Sequence, residues 1–461
     1  MAKYYPEVLF HDLILENVLK FGKREALIHN DRVITFDKIP NLVSKMISKL
    51  LELGVGSDQT VLVCMPNSIW YPIIFLACAK IGAILSGISP QSTANELKFF
   101  MAESGSKFFF TDETVAKDNA WILSNVTVEI LPEDIMAYME PIVEIEHLNI
   151  ETKDIDSYLL APFSSGTTGL PKCCLLTHRN FLASTFSLKK FLFDQLLAQS
   201  NMKTLAFLPF HHASGFWALL LCLLEGCTTV IMSDFHPIIM MDLVEKYQID
   251  TINIVPSIAN IFIKMGLLQG YGMTELVVLS CVTPIDDNFE HLGSCGHILP
   301  GFVAKLLRHS TGETELLLKS DAIMKFYRNG TPNLDEDGYL HTGDIANEKD
   351  GFFNIVDRMK DLIKLNGYQV SPTEIENVIL TVPKVAEVAV VGIEDELCGQ
   401  LPKAFIVLEK GADELLFRKH LDHTMKEKLS AVKQLRGGVS IIHEMPKSAS
   451  GKVQKNKLVY Y

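Results

Sequence analysis

The stretch from residue 60 to residue 111 constrains the fold most. Thr60-Val61-Leu62-Val63-Cys64-Met65 is a near-continuous apolar run of strand length, residues 68–81 carry a helical pattern closed by Gly82, and residues 83–88 begin another apolar run. Thr93 and Glu96 stand at capping-box spacing for a helix over residues 94–103, and residues 107–111 supply a further strand. Strands that alternate with helices imply a parallel sheet. Upstream, residues 12–21 and 41–53 read as helices, and residues 25–36 as a hairpin turning at Asn30-Asp31.

With 461 residues, 48% hydrophobic and 21% charged, the chain has room for more than one core, and two or three domains are expected. A net charge of −13, with no long run rich in Lys and Arg, argues against a nucleic-acid partner. Nine cysteines include no CxxC pair, and the adjacent Cys173-Cys174 suits neither a disulfide framework nor a zinc site, which points to a reducing, intracellular compartment. The first ten residues lack the basic region and apolar core of a secretory peptide. The longest apolar run, residues 216–224, is too short to span a bilayer and is expected to be a buried helix. Oligomeric state is left open.

Function enters with Ser164-Ser165-Gly166-Thr167-Thr168-Gly169-Leu170-Pro171-Lys172. Four hydroxyls, free backbone N–H groups and one cation suit a polyphosphate. Residues 157–163 read as a short buried strand that would present this loop at its end. A plain Ser/Thr/Gly connection is the alternative. A Walker loop is excluded, because Pro171 rather than Gly precedes Lys172 and no Ser or Thr follows it.

The order of those residues resembles the phosphate loop of the adenylate-forming superfamily, which holds acyl-CoA synthetases, luciferases and peptide-synthetase adenylation domains. Further stretches carry the same resemblance. Gln269-Gly270-Tyr271-Gly272-Met273-Thr274-Glu275 is similar to the superfamily's adenine and magnesium motif, which implies Tyr271 and Gly272 against adenine, Thr274 at the adenylate phosphate and Glu275 on Mg²⁺. Pro209-Phe210-His211-His212 puts His212 at a position implied to line the acyl pocket, where a structural histidine is the alternative reading. Asp344, in Asp337 to Asp344, and Arg358 resemble the two ribose contacts, and Lys360 falls at the hinge position. Lys364 and Gly367 match the strand and loop that shape the thioester-forming site, and Lys452, after Ser450-Gly451, matches the mobile lysine of adenylation. Ser164, Ser165, Gly166, Thr167, Thr168, Gly169 and Lys172 would cradle the phosphates.

The resemblance, nearest to the 4-coumarate-CoA ligase and luciferase-like branch, implies an α/β fold. A large N-terminal adenylation domain with parallel sheets, residues 1–359, would be followed by a small mobile α+β domain, residues 360–461. It also implies ATP, Mg²⁺ and coenzyme A acting on a small-molecule carboxylic acid, fatty or aryl-propenoic. The chain ends at Tyr460-Tyr461 rather than in the Ser-Lys-Leu of peroxisomal relatives, leaving cytoplasm and peroxisome both open.

One departure stands out. Only Gly266-Leu267-Leu268 separates the helix expected over residues 258–265 from Gln269, where relatives insert several dozen residues including a strand. Losing a strand-helix unit predicts a gap in a parallel sheet or a shifted register. A non-catalytic or unstable relative is therefore an alternative to a ligase, and a luciferase-like oxygenase a third reading.

Overall fold

The computed structural model describes residues 4–119, 121–122, 126–132, 153–164, 171–193, 201–253, 269–284, 287, 290–291, 293–310, 312–365, 368–447 and 453–458. The protein is a mixed α/β chain of two compact units. The first comprises residues 1–290, 297–303 and 319–340, the second residues 291–296, 304–318 and 341–461.

Two largely parallel sheets dominate the first unit. Its strands are β1 (Glu25–His29), β2 (Arg32–Thr35), β3 (Thr60–Cys64), β4 (Ile84–Ile88), β5 (Phe108–Thr111), β6 (Thr127–Ile130), β7 (Tyr158–Leu160), β8 (Phe163–Ser164), β9 (Lys172–Cys173), β10 (Leu176–Thr177), β11 (Lys203–Ala206), β12 (Thr228–Ile231), β13 (Thr251–Ile252), β14 (Gly270–Tyr271), β15 (Cys281–Val282) and β16 (His297–Ile298). One sheet runs β10-β7-β4-β3-β5-β6 and the other β13-β11-β12-β1-β2. The apolar runs become β3, β4 and β5, buried along their whole length because helices cover such sheets. In the Trp70–Lys80 helix every residue from Trp70 to Ala79 is buried, so it lies inside the core. The Thr93 and Glu96 capping box forms, and Asn30 and Asp31, both at positive φ, turn the β1-β2 hairpin. The apolar run of residues 216–224 lies in the Ala213–Glu225 helix.

One expectation is corrected. The strand expected over residues 157–163 breaks: β7 ends at Leu160, and Phe163–Ser164 leaves to pair antiparallel with Lys172–Cys173. Pro162 lies at the break, where it has no N–H to donate to a ladder. Residues 280–284 and 293–300 contain β15 and β16, which with β14 make a three-stranded sheet. The shortened junction itself, residues 254–268, lies outside the described residues. The β13-β11-β12-β1-β2 sheet is continuous, β13 stands at its margin, and Gly270–Tyr271 joins the separate antiparallel sheet. The last strand of that sheet is Thr251–Ile252, and the helix expected over residues 258–265 lies outside the described residues.

The C-terminal ends of both parallel sheets are tied by one buried amide. Asn67, three residues beyond β3 and 4% exposed, donates from Nδ2 to the carbonyls of Leu208 (3.0 Å) and Met232 (3.3 Å) and accepts from the Phe210 N–H (2.7 Å). Leu208 and Phe210 follow β11, and Met232 follows β12.

In the second unit, β17 (Val303–Arg308), β18 (Thr314–Lys319), β19 (Leu340–Lys349) and β20 (Phe352–Arg358) form one sheet in that order. Then β21 (Ile363–Leu365), β22 (Tyr368–Val370), β23 (Val385–Asp395), β24 (Gly399–Leu408) and β25 (Gly438–Ile441) form another, ordered β22-β21-β24-β23 with β25 beside β24. Strand alternation divides two cores. Val390, Ala404 and Ile406 pack with the Pro372–Leu380 and Glu414–Lys428 helices, whereas Ala389, Val391 and Phe405 pack with Met445 and Leu458. Lys360, at the expected hinge position, lies in a 3-10 turn, Met359–Asp361, ahead of β21.

Glu315, on β18, meets three donors, two from β19 and one from His309 in the turn after β17. His341 Nδ1 (3.1 Å) and His309 Nε2 (2.9 Å) meet Oε2, and the Gly343 N–H meets Oε1 (3.0 Å). Burial opposes ionisation of this carboxyl, but the bonds from His341, Gly343 and His309 outweigh it and hold it below its ordinary value.

Two predictions follow from these contacts. Asn67→Ala orphans one N–H and two carbonyls and should cost about 3 kcal/mol, read as a lower urea midpoint at unchanged m; a loss under about 0.5 kcal/mol would show that the amide is dispensable. For Glu315, a depressed folded pKa means that its stabilisation is complete above the unfolded carboxyl value of about 4.3 and is lost as pH falls through the folded one. Urea denaturation between about pH 3 and pH 7 should show Glu315→Gln with a shallower acid slope than the wild type.

Candidate functional site

The hairpin β8-β9 brackets the phosphate-loop motif and fixes its two ends. Ser164 pairs with Lys172 across it, and Phe163 with Cys173. Ser164 is buried and Lys172 half-buried. Beyond β9, Cys174 makes an antiparallel bridge to Tyr327, and the Arg328 N–H donates to the Cys173 carbonyl at 2.9 Å. Arg328 reaches further, donating from its guanidinium to Thr60 Oγ1 at 2.8 Å.

Tyr327 is the junction of the cluster. Its hydroxyl donates to Glu275 Oε1 at 3.0 Å, and Lys172 Nζ lies 5.0 Å from its ring centroid, within cation-π range. Burial, and after it the charge of Glu275, push the Tyr327 phenol well up. Burial and then Glu275 do the same to the Cys174 thiol, which is accordingly an inert neutral group. The structure thus brings together Ser164, Lys172 and Glu275, three residues singled out from two separated stretches.

Glu275 itself is 7% exposed and sits in a constrained turn. Thr274–Leu276 is a 3-10 turn, and the next residue, Val277, has φ 71° and ψ −61°. With the Val278 N–H donating to the Leu276 carbonyl at 2.9 Å, this is a γ-turn, strained for a β-branched residue. The turn brings the Val278 carbonyl so close to Gly272 that an added Cβ there would lie 1.6 Å from its oxygen. Glycine at position 272 is therefore required by backbone approach. Tyr271, on β14 opposite Cys281, is half-buried, and Thr274 begins the 3-10 turn half-exposed.

His212 lies on another loop, after β11, as the residue capping the Ala213–Glu225 helix. Its ring is 4.4 Å from that of His211, whose imidazole is pushed well down by burial and then by His212. A Cβ on Gly87, in β4, would approach the His211 Cα to 2.8 Å, so the loop runs against the C-terminal half of that strand.

In the second unit Asp344 and Arg358 face each other across β19 and β20. Arg358 Nε donates to Asp344 Oδ1 at 3.0 Å, with Asp344 3% exposed and the arginine side chain at the surface. Lys364 is exposed on β21 between buried Ile363 and Leu365, and Gly399 at φ 83° admits its carbonyl to 2.8 Å of where a Cβ would stand. Ser165, Gly166, Thr167, Thr168, Gly169, Gly367 and Lys452 lie outside the described residues.

The donor set suits its implied partners. Glu275 offers the hard oxygen that Mg²⁺ prefers, and Lys172 with the Ser164 end of the loop suits phosphate oxygens. Tyr327, Cys174, Asn67 and Gly87 escaped the sequence reading. Tyr327 sits in an exposed-looking turn, Phe326-Tyr327-Arg328-Asn329-Gly330, with no periodicity. Asn67 had one signal, a polar residue directly after Pro66 at the end of an apolar strand.

Known proteins resemble the chain along nearly its whole length. The profile of the family described as AMP-binding enzyme matches residues 14–267, and that of the AMP-binding enzyme C-terminal domain matches residues 374–452. Among curated proteins, 4-coumarate-CoA ligase 1 of Narcissus pseudonarcissus is 29% identical, covering 99% of this chain and 94% of its own length. Luciferin 4-monooxygenase of Photuris pensylvanica is 27% identical over 93% and 90%. The alignment with the Narcissus ligase spans 521 positions, 60 more than the 461 residues present here, so that relative carries stretches with no counterpart in this chain. Among solved structures, o-succinylbenzoate CoA synthetase of Bacillus subtilis in complex with its acyl-adenylate intermediate superposes with a TM-score of 0.84 at 26% identity, covering 97% of both chains. The ATP-bound MatB of Rhodopseudomonas palustris shares the fold, with a TM-score of 0.86 at 22% identity over 98% of both chains. The chain belongs to the AMP-binding enzyme family, the adenylate-forming acyl-CoA ligases and their relatives.

Proposed function

We propose that the protein is an ATP-dependent carboxylate-CoA ligase acting on a fatty or aryl-propenoic acid. The observation that carries this reading is the Lys172-Tyr327-Glu275 cluster, a phosphate-seeking cation and a metal-seeking carboxylate fixed on one aromatic side chain, in a chain shorter than its relatives. In the first half-reaction a substrate carboxylate oxygen attacks the α-phosphorus of ATP, forming the acyl-adenylate and releasing pyrophosphate. In the second, the CoA thiol attacks the acyl carbonyl, loses its proton and releases AMP.

The residues supply positioning and charge neutralisation. Ser164, Ser165, Gly166, Thr167, Thr168 and Gly169 would donate hydrogen bonds to the phosphates, with Lys172 as the cation. Tyr271 and Gly272 would hold adenine, Thr274 the adenylate phosphate, and Asp344 and Arg358 the ribose. Glu275 would hold Mg²⁺, which when bound offsets charge on the phosphates. His212 would line the acyl pocket. Lys452 would neutralise the α-phosphate and carboxylate in the first step, and Lys364 and Gly367 would shape the site in the second. We place the boundary between the large and small domains at residues 359 and 360, with Lys360 as the hinge.

The 60-position shortfall favours a second reading, a relative that binds nucleotide without turning it over. Carboxylate-dependent ATP-pyrophosphate exchange, run with 4-coumarate and with medium and long fatty acids, separates the two: exchange supports the ligase, and nucleotide binding without exchange supports the alternative. Light emission or oxygen uptake would instead indicate a luciferase-like oxygenase. For the ligase, Lys452→Ala should slow exchange by about 10²–10³-fold, and Lys364→Ala should leave exchange intact while slowing thioester formation. Equal loss of both steps in both variants would contradict that division of labour.

A further inference from the structure

We infer that Tyr327 is a positioning residue that sets the Glu275 carboxylate and the Lys172 ammonium at a fixed spacing for the adenylation step. The inference rests on the ligase reading and deepens it, since it concerns how this chain orients its metal-seeking carboxylate. The hydroxyl engages Glu275 Oε1 at 3.0 Å, which fixes the carboxylate while leaving it lone pairs for a hard cation. The ring face seats Lys172 Nζ at 5.0 Å, at the point where the phosphate-loop motif ends. One side chain thus touches a negative group and a positive group from segments about a hundred residues apart in sequence.

Tyr327 is itself held from both sides. Its backbone bridges Cys174, its N–H donates to the Thr331 carbonyl at 3.0 Å, and its carbonyl accepts from the Gly330 N–H at 2.9 Å. The next residue, Arg328, is anchored to Cys173 and to Thr60. A rigid aromatic on a pinned turn transmits that rigidity to the groups it touches, and partners that orient a metal ligand influence affinity nearly as much as the ligand.

Two substitutions separate the hydroxyl from the ring. Tyr327→Phe keeps the seat for Lys172 and loses the donor, whereas Tyr327→Leu loses both. In calorimetric titrations of ATP over a Mg²⁺ series, Tyr327→Phe should raise the Mg²⁺ concentration for half-maximal nucleotide binding by about tenfold, and leave ATP binding in EDTA unchanged. Tyr327→Leu should in addition weaken ATP binding in EDTA by about threefold. Pyrophosphate exchange should show the same Mg²⁺ shift, and combining Tyr327→Phe with Glu275→Gln should shift it no further than Glu275→Gln alone, since the tyrosine acts through that carboxylate. A purely structural tyrosine would lower the urea midpoint without moving the Mg²⁺ midpoint, and that result overturns the inference while the ligase reading stands. A wild-type protein that binds no Mg·ATP overturns both.

Discussion

The fold depends on a single buried amide that lashes two sheets together at the ends where their strands point. Asn67, itself buried, leaves β3 of one sheet and holds the exits of β11 and β12 in the other through three hydrogen bonds. Open α/β sheets bind ligands beyond the carboxyl ends of their strands. Here those ends are not left to splay: the loop that carries His211 and His212 is fixed in position before any ligand arrives, and Gly87 lets it run against β4.

The carboxylate at the other part of the site is held by strain as well as by bonding. Val277 adopts a conformation that costs a β-branched residue about 1–3 kcal/mol, and its side chain, 1% exposed, is tucked into the core that sustains it. The γ-turn packs the segment after Glu275 against Gly272, so the motif from Gly270 to Glu275 folds back on itself rather than extending as a strand. Tyr327 completes the arrangement from a distant segment. Charge is therefore aimed by covalent geometry on one side and by a pinned aromatic on the other.

Much of the fold was legible because its signals are local. The runs at residues 60–65 and 83–88, the capping box at Thr93, and the Asn30-Asp31 turn each depend on neighbours within a few residues, and each formed as read. The motif residues were legible as letters in order, and the structure gives Lys172 and Glu275 a common partner. What stayed hidden is non-local. β14, β15 and β16 are two residues each, too short for any periodicity, and exist only because they pair. The break at Pro162 was written in the sequence but competed with an apolar run on both sides. Tyr327 and Asn67 act across gaps of 52 and more than 140 residues, which no window reveals.

The position of β13 at a sheet margin has a consequence for how the chain is made. Strands of the two parallel sheets lie between Glu25 and Ile252, upstream of the shortened junction ahead of Gln269. Synthesis runs from the N-terminus, and domains fold as they emerge. A nascent chain therefore has every strand described for both sheets in hand before the shortened stretch leaves the ribosome. For the described strands of these two sheets, the shortened junction is a downstream feature of the chain.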